Sequence, residues 1–428
     1  MKLNYKRTML VGFAFFLITA FWGAYDAIVP KILTNLFHME QWASGIIMSL
    51  DNVFALVLLP FFGSLSDKMS FRTGKRTPFI ILGTLLSAVF FSGLGLIRSS
   101  SMLILFIVVL LMTLLSMAIF RSPAVALMPD VTIKPLRSKG NAVINLMGTA
   151  GGIIVLVFGI IFATGEEGKT DFAAYCVAVS ILMVVALIVF LLFVNEPKWA
   201  REMQEESKKL GIESEDTEAC DKGRKLTRGE LTSLILILAS VALWYTGYNA
   251  VTSKYSVYAE QVLHVDFNTT LIVAQAAAVV SYIPVGIISS KVGRKKSILA
   301  GIVMLTAAFV AGAFFTKVSS EIQMFPLFAL AGIGWATINV NSFPMAVELA
   351  KVGDVGKYTG YYYTASMAAQ IITPVLSGAL VTAFGWWVFF PYAALFAGLS
   401  FVTMLFVRHG DSKPERVGAL ESLAGGDD

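Results

Sequence analysis

Apolar stretches of about 20 residues recur from one end of the 428-residue chain to the other, each able to cross a ~30 Å hydrocarbon layer as a helix. No other feature constrains the fold as much. Only 14% of the residues are charged and 57% are hydrophobic, where soluble domains carry about 25% charged residues. A membrane barrel would instead show ~10-residue segments of alternating polarity. The expectation is an all-α membrane protein with twelve transmembrane helices, at 8–33, 43–66, 78–97, 102–126, 140–163, 172–194, 231–257, 269–290, 297–316, 323–348, 358–384 and 387–407. The N-terminal run resembles a signal peptide only superficially. Its apolar part is too long and no convincing cleavage site follows, so it reads as a retained first helix.

The basic residues test this count. With both termini cytoplasmic, 27 of the 33 Lys and Arg fall on the inner side and four, Lys31, Arg98, Lys169 and Lys317, on the outer side. Arg121 and Lys254 fall within spans. This is a strong positive-inside distribution, and it accounts for the net charge of +5 without a nucleic-acid partner. Residues 196–230 mix acids and bases without apolar periodicity and read as a solvated linker. The expected organisation is a six-helix bundle at 1–195, a cytoplasmic linker at 196–230, a second six-helix bundle at 231–410 and a cytoplasmic tail at 411–428. Two cysteines, Cys176 in an apolar run and Cys220 in a polar one, make no disulfide framework.

The two halves repeat each other. "WGAYDAIVPK" (22–31) aligns without gaps on "YTGYNAVTSK" (245–254), an offset of 223 that also carries Asn52 onto Gln275, Gly63 onto Gly286 and Lys68 onto Lys291. Parallel repeats of this kind place a substrate site between the halves near the membrane midplane. Trp22, Tyr25 and Asp26 share one helical face, as do Tyr245, Tyr248 and Asn249. Asp26 lies roughly 27 Å along the helix from Thr8, and Asp51 about 12 Å inward from Ala43. Two carboxylates with flanking aromatics are thereby expected on one cavity; the plainer alternative is an interfacial Asp26 among belt aromatics.

The stretch "GSLSDKMSFRTGKRTPFI" (63–80) joins spans two and three, and "GIISSKVGRKKSI" (286–298) echoes it. Gly63 and Gly286 permit close helix approach. Asp67 is suited to a helix N-terminus and to pairing with a cation, while Arg72, Lys75 and Arg76 hold to the headgroup surface. With Gly74 and Asp130, such a cluster makes a latch that breaks when rigid bundles rock. At these residues the chain resembles the major facilitator superfamily, whose signature is G-x-x-x-D-[KR]-x-G-R-[KR], with four residues inserted after Asp67–Lys68. That form, together with "FRSPAVALMPDVTIKPLRSKGNAVINLMG" (120–148) and "GYYYTASMAAQIITPVLSG" (360–378), is similar to the sucrose/proton symporters and the glycoside-pentoside-hexuronide carriers. The resemblance implies two pseudo-symmetric six-helix bundles, the major facilitator fold, and a transporter working by alternating access. The chain departs from those relatives at Ser290, which replaces the second aspartate, and at Ala55 and Leu59, where the sodium-using members carry acids before the proline of span two. It also has Val125 two residues after the proline of span four, with Arg121 a turn earlier, where sucrose symporters carry arginine.

Intramembrane ionisable groups want named partners. For Arg121 these are Asp51 in a deep cavity or Glu348 at an inner gate, or else a structural salt bridge. Lys254 is placed to snorkel to the outer surface. Gln275, Asn339 and Gln370 supply neutral hydrogen-bonding groups, as do Asn145 and Asn341, and Trp335 reads as packing in a segment made bendable by Gly332 and Gly334. Carboxylates, amides and flat aromatics are what a hydroxyl-rich ligand requires. Low dielectric disfavours a charged carboxylate, which links protonation to binding. The expected function is proton-coupled symport of a glycoside or small oligosaccharide. Its substrate would meet Trp22, Tyr25, Asp26, Asp51, Asn52, Tyr245, Tyr248, Asn249, Gln275, Asn339 and Gln370, and Asp26, Asp51 and Arg121 would serve coupling. The alternative is an exporter or facilitator of an amphipathic or aromatic compound, which the 32 Phe and 17 Met leave open; a non-transporting receptor on the same scaffold is a third reading. His38, His264 and His409 have no metal-ligand spacing, and no nucleotide loop or nucleophile elbow is present, so no enzyme, cofactor or metal is expected. The expected partners are the small-molecule substrate, a proton and membrane lipid, with the chain acting as a monomer in a bacterial cytoplasmic membrane.

Overall fold

The structure, a computed structural model, describes residues 3–97, 99–133, 136–164, 171–209, 227–315, 321–349 and 355–411. The 210–226 part of the linker, the 412–428 tail, Lys2, Arg98, Lys134, Lys169, Lys317, Lys351 and Cys220 lie outside the described residues. Thirteen helices are labelled in chain order: α1 Tyr5–Lys31, α2 Gln41–Lys68, α3 Thr77–Leu96, α4 Leu103–Val131, α5 Arg137–Ile161, α6 Phe172–Phe193, α7 Glu196–Lys209, α8 Arg228–Tyr258, α9 Phe267–Val292, α10 Arg294–Gly312, α11 Phe325–Glu348, α12 Val355–Phe384 and α13 Phe389–Leu405. All but α7 are long and apolar enough to cross a membrane. Helices are the natural result, because hydrocarbon cannot solvate backbone N–H and C=O groups. Several hydroxyls inside the spans donate to the carbonyl one turn back. Thr113 donates to Val109 at 2.8 Å, Ser116 to Met112 at 2.7 Å and Thr337 to Ile333 at 2.7 Å.

The described residues form two compact units. Unit 1 draws on 1–39, 50–212 and 259–269, and unit 2 on 40–49, 213–258 and 270–428. Within unit 1, α1 packs on α5 and α6, and α3 packs on α4 and α6. Unit 2 repeats this order with its own helices: α8 on α12 and α13, α10 on α11 and α13. Without a hydrophobic drive between helices in lipid, such pairs rely on close van der Waals approach at small residues. Gly83 shows this in unit 1, where a Cβ would lie 2.6 Å from Phe120 and 2.8 Å from the Ser116 carbonyl. Gly301 does the same in unit 2 against the Gly334 carbonyl, at 2.9 Å.

The repeat extends to backbone irregularities. α1 and α8 both run into five-residue π-helical turns, Ile32–Leu36 and Ala259–Leu263. Each turn is followed by a histidine in left-handed conformation, His38 and His264, both at φ 52°. These histidines stand 226 positions apart, so the 223-residue offset read from sequence holds to Lys31 and Lys254 and shifts in the hairpin, where the second repeat is longer.

Residues 196–209 differ from the solvated linker expected there. They form the amphipathic helix α7, whose Trp199 ring lies 4.8 Å under the Arg7 guanidinium, and Arg7 also pairs with Glu202. A sparse apolar face carrying Trp199 and Met203 was masked by the surrounding charges. The close approach of α3 and α4 gives a direct test. Gly83→Leu is expected to lower the thermal unfolding midpoint in detergent, with a loss of about 1–3 kcal/mol. Gly360→Ala, where no atom lies within 4 Å, is expected to leave it unchanged.

Candidate functional site

The α1 face predicted from sequence is assembled in unit 1. Tyr25 is fully buried, stacked on Phe21 with centroids 5.9 Å apart and edge-on to Trp22 at 5.3 Å. Asp26, between fully buried Tyr25 and buried Ala27, is nevertheless solvent-accessible. From α2, half-buried Asp51 accepts from the Asn52 backbone N–H at 2.6 Å and from its side-chain amide at 2.7 Å. Asp26, Asp51 and Tyr25 lie within electrostatic range of one another, and Arg121 within range of Asp51. The Arg121 guanidinium also sits over the Trp22 ring, 5.5 Å from its centre. Of the two partners considered for Arg121, Asp51 lies within its electrostatic range, and Glu348 pairs with Arg294 within unit 2. Two polar atoms here, Trp22 Nε1 and Tyr25 Oη, have no hydrogen-bond partner among the described residues.

Unit 2 builds a different surface from the matching positions. Tyr248 stacks on Trp335 with centroids 3.6 Å apart and planes 4° from parallel, and Tyr245 meets the same indole edge-on at 5.2 Å. Trp335, 9% exposed, packs as expected, and its indole forms an aromatic cluster with Tyr245 and Tyr248. The i, i+3 spacing of Tyr245 and Tyr248 was visible in sequence; their partner on α11 was not. Half-buried Asn249 accepts from Thr252 at 3.3 Å, and Gln275 keeps its Oε1 unpaired and buried. Asn339 is buried and Gln370 half-buried. Asn341 donates to the Thr337 carbonyl of its own helix at 2.9 Å, which makes it structural.

The signature loop folds around Arg76. Its guanidinium donates to Asp130 through Nε at 2.7 Å, and to Asp67 and Ser66 through its terminal nitrogens. Burial alone would lower its pKa, but the hydrogen bonds and charges of Asp130 and Asp67 outweigh this and hold it above the ordinary value. Asp67 does not cap α3, the other role considered for it. That place is taken by Glu196, at the start of α7, which accepts from the backbone N–H of Lys75 (2.6 Å), Arg76 (2.9 Å) and Thr77 (2.8 Å) and from the Thr77 hydroxyl (2.7 Å). A carboxylate at a helix N-terminus meets both the open donors and the dipole. Gly74, at φ 121°, has no room for a side chain against that carboxylate. Gly63 faces the Ser122 hydroxyl across α2 and α4, Gly286 is buried, and Arg72 and Lys75 are exposed.

The second repeat has a latch of its own, although Ser290 stands where the aspartate was expected; the Ser290 side chain lies outside those described. Arg294 pairs with Glu348, at the same sequence separation, 54 residues, as Arg76 and Asp130. Asp411 accepts from the Lys295 N–H at 2.9 Å, at the start of α10, as Glu196 does at the start of α3. The acid thus comes from the end of α11 and not from the signature. Sequence reading missed Glu196 and Asp411 because neither lies in the motif.

These contacts differ in weight. Glu196 is 3% exposed and holds four donors, whereas the Asp67 side chain is 62% exposed. Glu196→Ala is expected to cost about 2–3 kcal/mol of stability, and Asp67→Asn less than about 1 kcal/mol, as read from detergent unfolding.

The profile of the Major Facilitator Superfamily matches residues 11–291 and 268–424. An uncharacterised MFS-type transporter, MJ1317 of Methanocaldococcus jannaschii, is 24% identical over 419 residues, which cover 94% of this chain and 95% of that protein. The inward-open xylose transporter XylE from E. coli is similar in structure, with TM-score 0.70 and 14% identity over 98% of this chain and 99% of that one. The nucleoside transporter NupG has TM-score 0.66 and 14% identity, covering 94% of this chain and 100% of its own. A POT family transporter in complex with 5-aminolevulinic acid has TM-score 0.70 and 12% identity, covering 93% and 94%. At such identities these structures share the fold. The chain belongs to the Major Facilitator Superfamily, a family of transporters and not of enzymes, and is a multi-pass integral membrane protein with twelve spans.

Proposed function

We propose that this carrier moves a sugar, a glycoside or small oligosaccharide, by alternating access in symport with protons. The observation that carries the reading is the division of labour between the two sets of repeat-related positions. Unit 1 offers Asp26, Asp51 and Arg121 beside the unpaired Trp22 Nε1 and Tyr25 Oη. Unit 2 offers a flat aromatic platform of Tyr245, Tyr248 and Trp335 with the amides of Asn249, Gln275, Asn339 and Gln370 nearby in sequence register. Sugar hydroxyls need acceptors and donors that are otherwise left unpaired, which is how such a site rejects apolar ligands. The apolar face of a pyranose ring suits an aromatic ring plane, and of this cluster Tyr245 and Tyr248 are half-buried while Trp335 is buried behind them. The resemblance of the signature loop to sucrose/proton symporters supports the same class.

Proton coupling is assigned to Asp51 and Asp26, with Arg121 as the counter-charge whose balance changes when a carboxylate is neutralised. Reciprocal linkage then makes protonation and sugar binding promote each other. The signature-loop cluster around Arg76 and its counterpart at Arg294 act as latches at the end where α3 and α10 begin. We assign that end, with both termini, to the cytoplasm of a bacterial cell, on the distribution of basic residues.

Two measurements test this. A panel of unlabelled monosaccharides, disaccharides and polyols is screened by thermal unfolding. A cognate sugar at 100 times its Kd is expected to stabilise by about 2.7 kcal/mol, and Trp335→Ala to weaken its binding by about three- to tenfold. Stabilisation by aromatic amphiphiles and by no sugar would overturn the substrate class. For coupling, Asp51→Asn is expected to abolish pH-driven accumulation in proteoliposomes while exchange of the same sugar continues. Undiminished uphill uptake would remove Asp51 from that role.

A further inference from the structure

Two buried lysines outside the site make their contacts within single units. Lys31 pairs with Glu260 at 2.9 Å and donates to the Thr164 carbonyl, and Glu260 accepts from Asn35 at 3.1 Å, all in unit 1. Lys254 does not snorkel as expected; it is 2% exposed, and its Nζ donates to the Gln41 carbonyl at 2.9 Å in unit 2. The charged site of unit 1 is held in another way, and the difference lies in the two oxygens of Asp51.

Asp51 and Asn52 are consecutive in α2, and both are half-buried. Asp51 Oδ1 accepts twice from its neighbour, from the Asn52 backbone N–H at 2.6 Å and from Asn52 Nδ2 at 2.7 Å. Asp51 Oδ2 accepts from no other described residue. The orientation of the amide follows from charge: turned over, it would set its own oxygen against a carboxylate oxygen, acceptor on acceptor. Asp26 and Tyr25 act on this group from α1 and Arg121 from α4, each through its field. Asn52 is the one side chain hydrogen-bonded to it among the described residues. Donors stabilise a carboxylate charge on the oxygen they reach, so two on Oδ1 and none on Oδ2 make the oxygens inequivalent.

We propose that Asn52 is a positioning residue for proton coupling, which makes Oδ2 the Asp51 oxygen that takes up and gives back the proton. Asn52, expected to meet the substrate, acts instead through Asp51. In the forward step a proton from water bonds to Oδ2, and Cγ–Oδ1 becomes the carbonyl that still accepts both Asn52 donors. The reverse step returns the proton to water. Neither Asn52 bond breaks, so the side chain stays in place while one atom changes from acceptor to donor. A substrate hydroxyl at Oδ2 is thus met in opposite senses before and after protonation. The inference rests on Asp51 as the coupling group and narrows that assignment to one atom and one neighbour.

Infrared difference spectroscopy on the full-length protein in nanodiscs, stepped in pH without sugar, reads the C=O stretch of protonated Asp51. Asp51→Asn identifies the band by its loss. A hydrogen bond to a carbonyl oxygen lowers its stretching frequency, so Asn52→Leu is expected to move the band to higher wavenumber. The same change removes a donor that favours the charged form, and is expected to raise the midpoint of the band's titration by about one pH unit. Asn52→Gln, which keeps an amide at this position, is expected to return both values towards wild type. A band that Asp51→Asn still removes, but whose frequency or midpoint is unchanged in Asn52→Leu, would overturn the role of Asn52 alone, as would shifts that Asn52→Gln leaves in full. Absence of any Asp51 band would overturn the coupling assignment and this proposal with it.

Discussion

Hydrocarbon offers no hydrogen bonds, and this is the constraint from which the rest of the structure follows. It forces every span into a helix and returns many of the hydroxyls to their own backbone. It also makes each buried charge an organising centre, because an uncompensated one costs several kcal/mol. Three such centres shape this chain. Arg76 gathers Asp67 and Asp130 at the start of α3. Lys31 is matched to Glu260 at the far end of α1. Asp51 stands within range of both Asp26 and Arg121 in unit 1, with Asp26 left open to solvent. The Arg76 guanidinium and the Lys31–Glu260 pair are closed by protein, whereas Asp26 is not.

Duplication explains how the two units came to share one plan while differing in chemistry. Helix pairings recur in the same order, the arginine–acid pairs keep a 54-residue separation, and Glu196 and Asp411 cap equivalent helix starts. Against that common frame, Asp26 is matched by Asn249 and Trp22 by Tyr245. One copy concentrates charge, while the other carries neutral amides and a stacked aromatic pair.

The spans were legible because hydrophobicity is additive along a helix: the window needs no knowledge of neighbours. Asp26, Asp51 and Arg121 were legible for the opposite reason, since a charge inside such a window is rare enough to stand out. What sequence did not reveal was choice of partner. Glu196 and Glu260 look like ordinary acids near span ends, yet each is 3% exposed and anchors a cluster. That Glu348 pairs with Arg294 was likewise not legible, because which helix ends meet is decided by packing and not by spacing. Trp335 was legible as packing, but its partner Tyr248 was not, since it lies 87 positions away. The helical start of the linker was hidden by its charges, which outnumber the Trp199 and Met203 face.

The central claim is that the open charged cluster of unit 1 binds a proton as part of moving a sugar. The most direct measurement uses the purified protein in vesicles that enclose a pH-sensitive dye, with a sugar gradient as the sole driving force. If the account holds, a sugar that enters down its gradient acidifies the lumen as it goes, at a rate that follows the sugar flux. Sugar entry with a lumen pH that stays flat would contradict it.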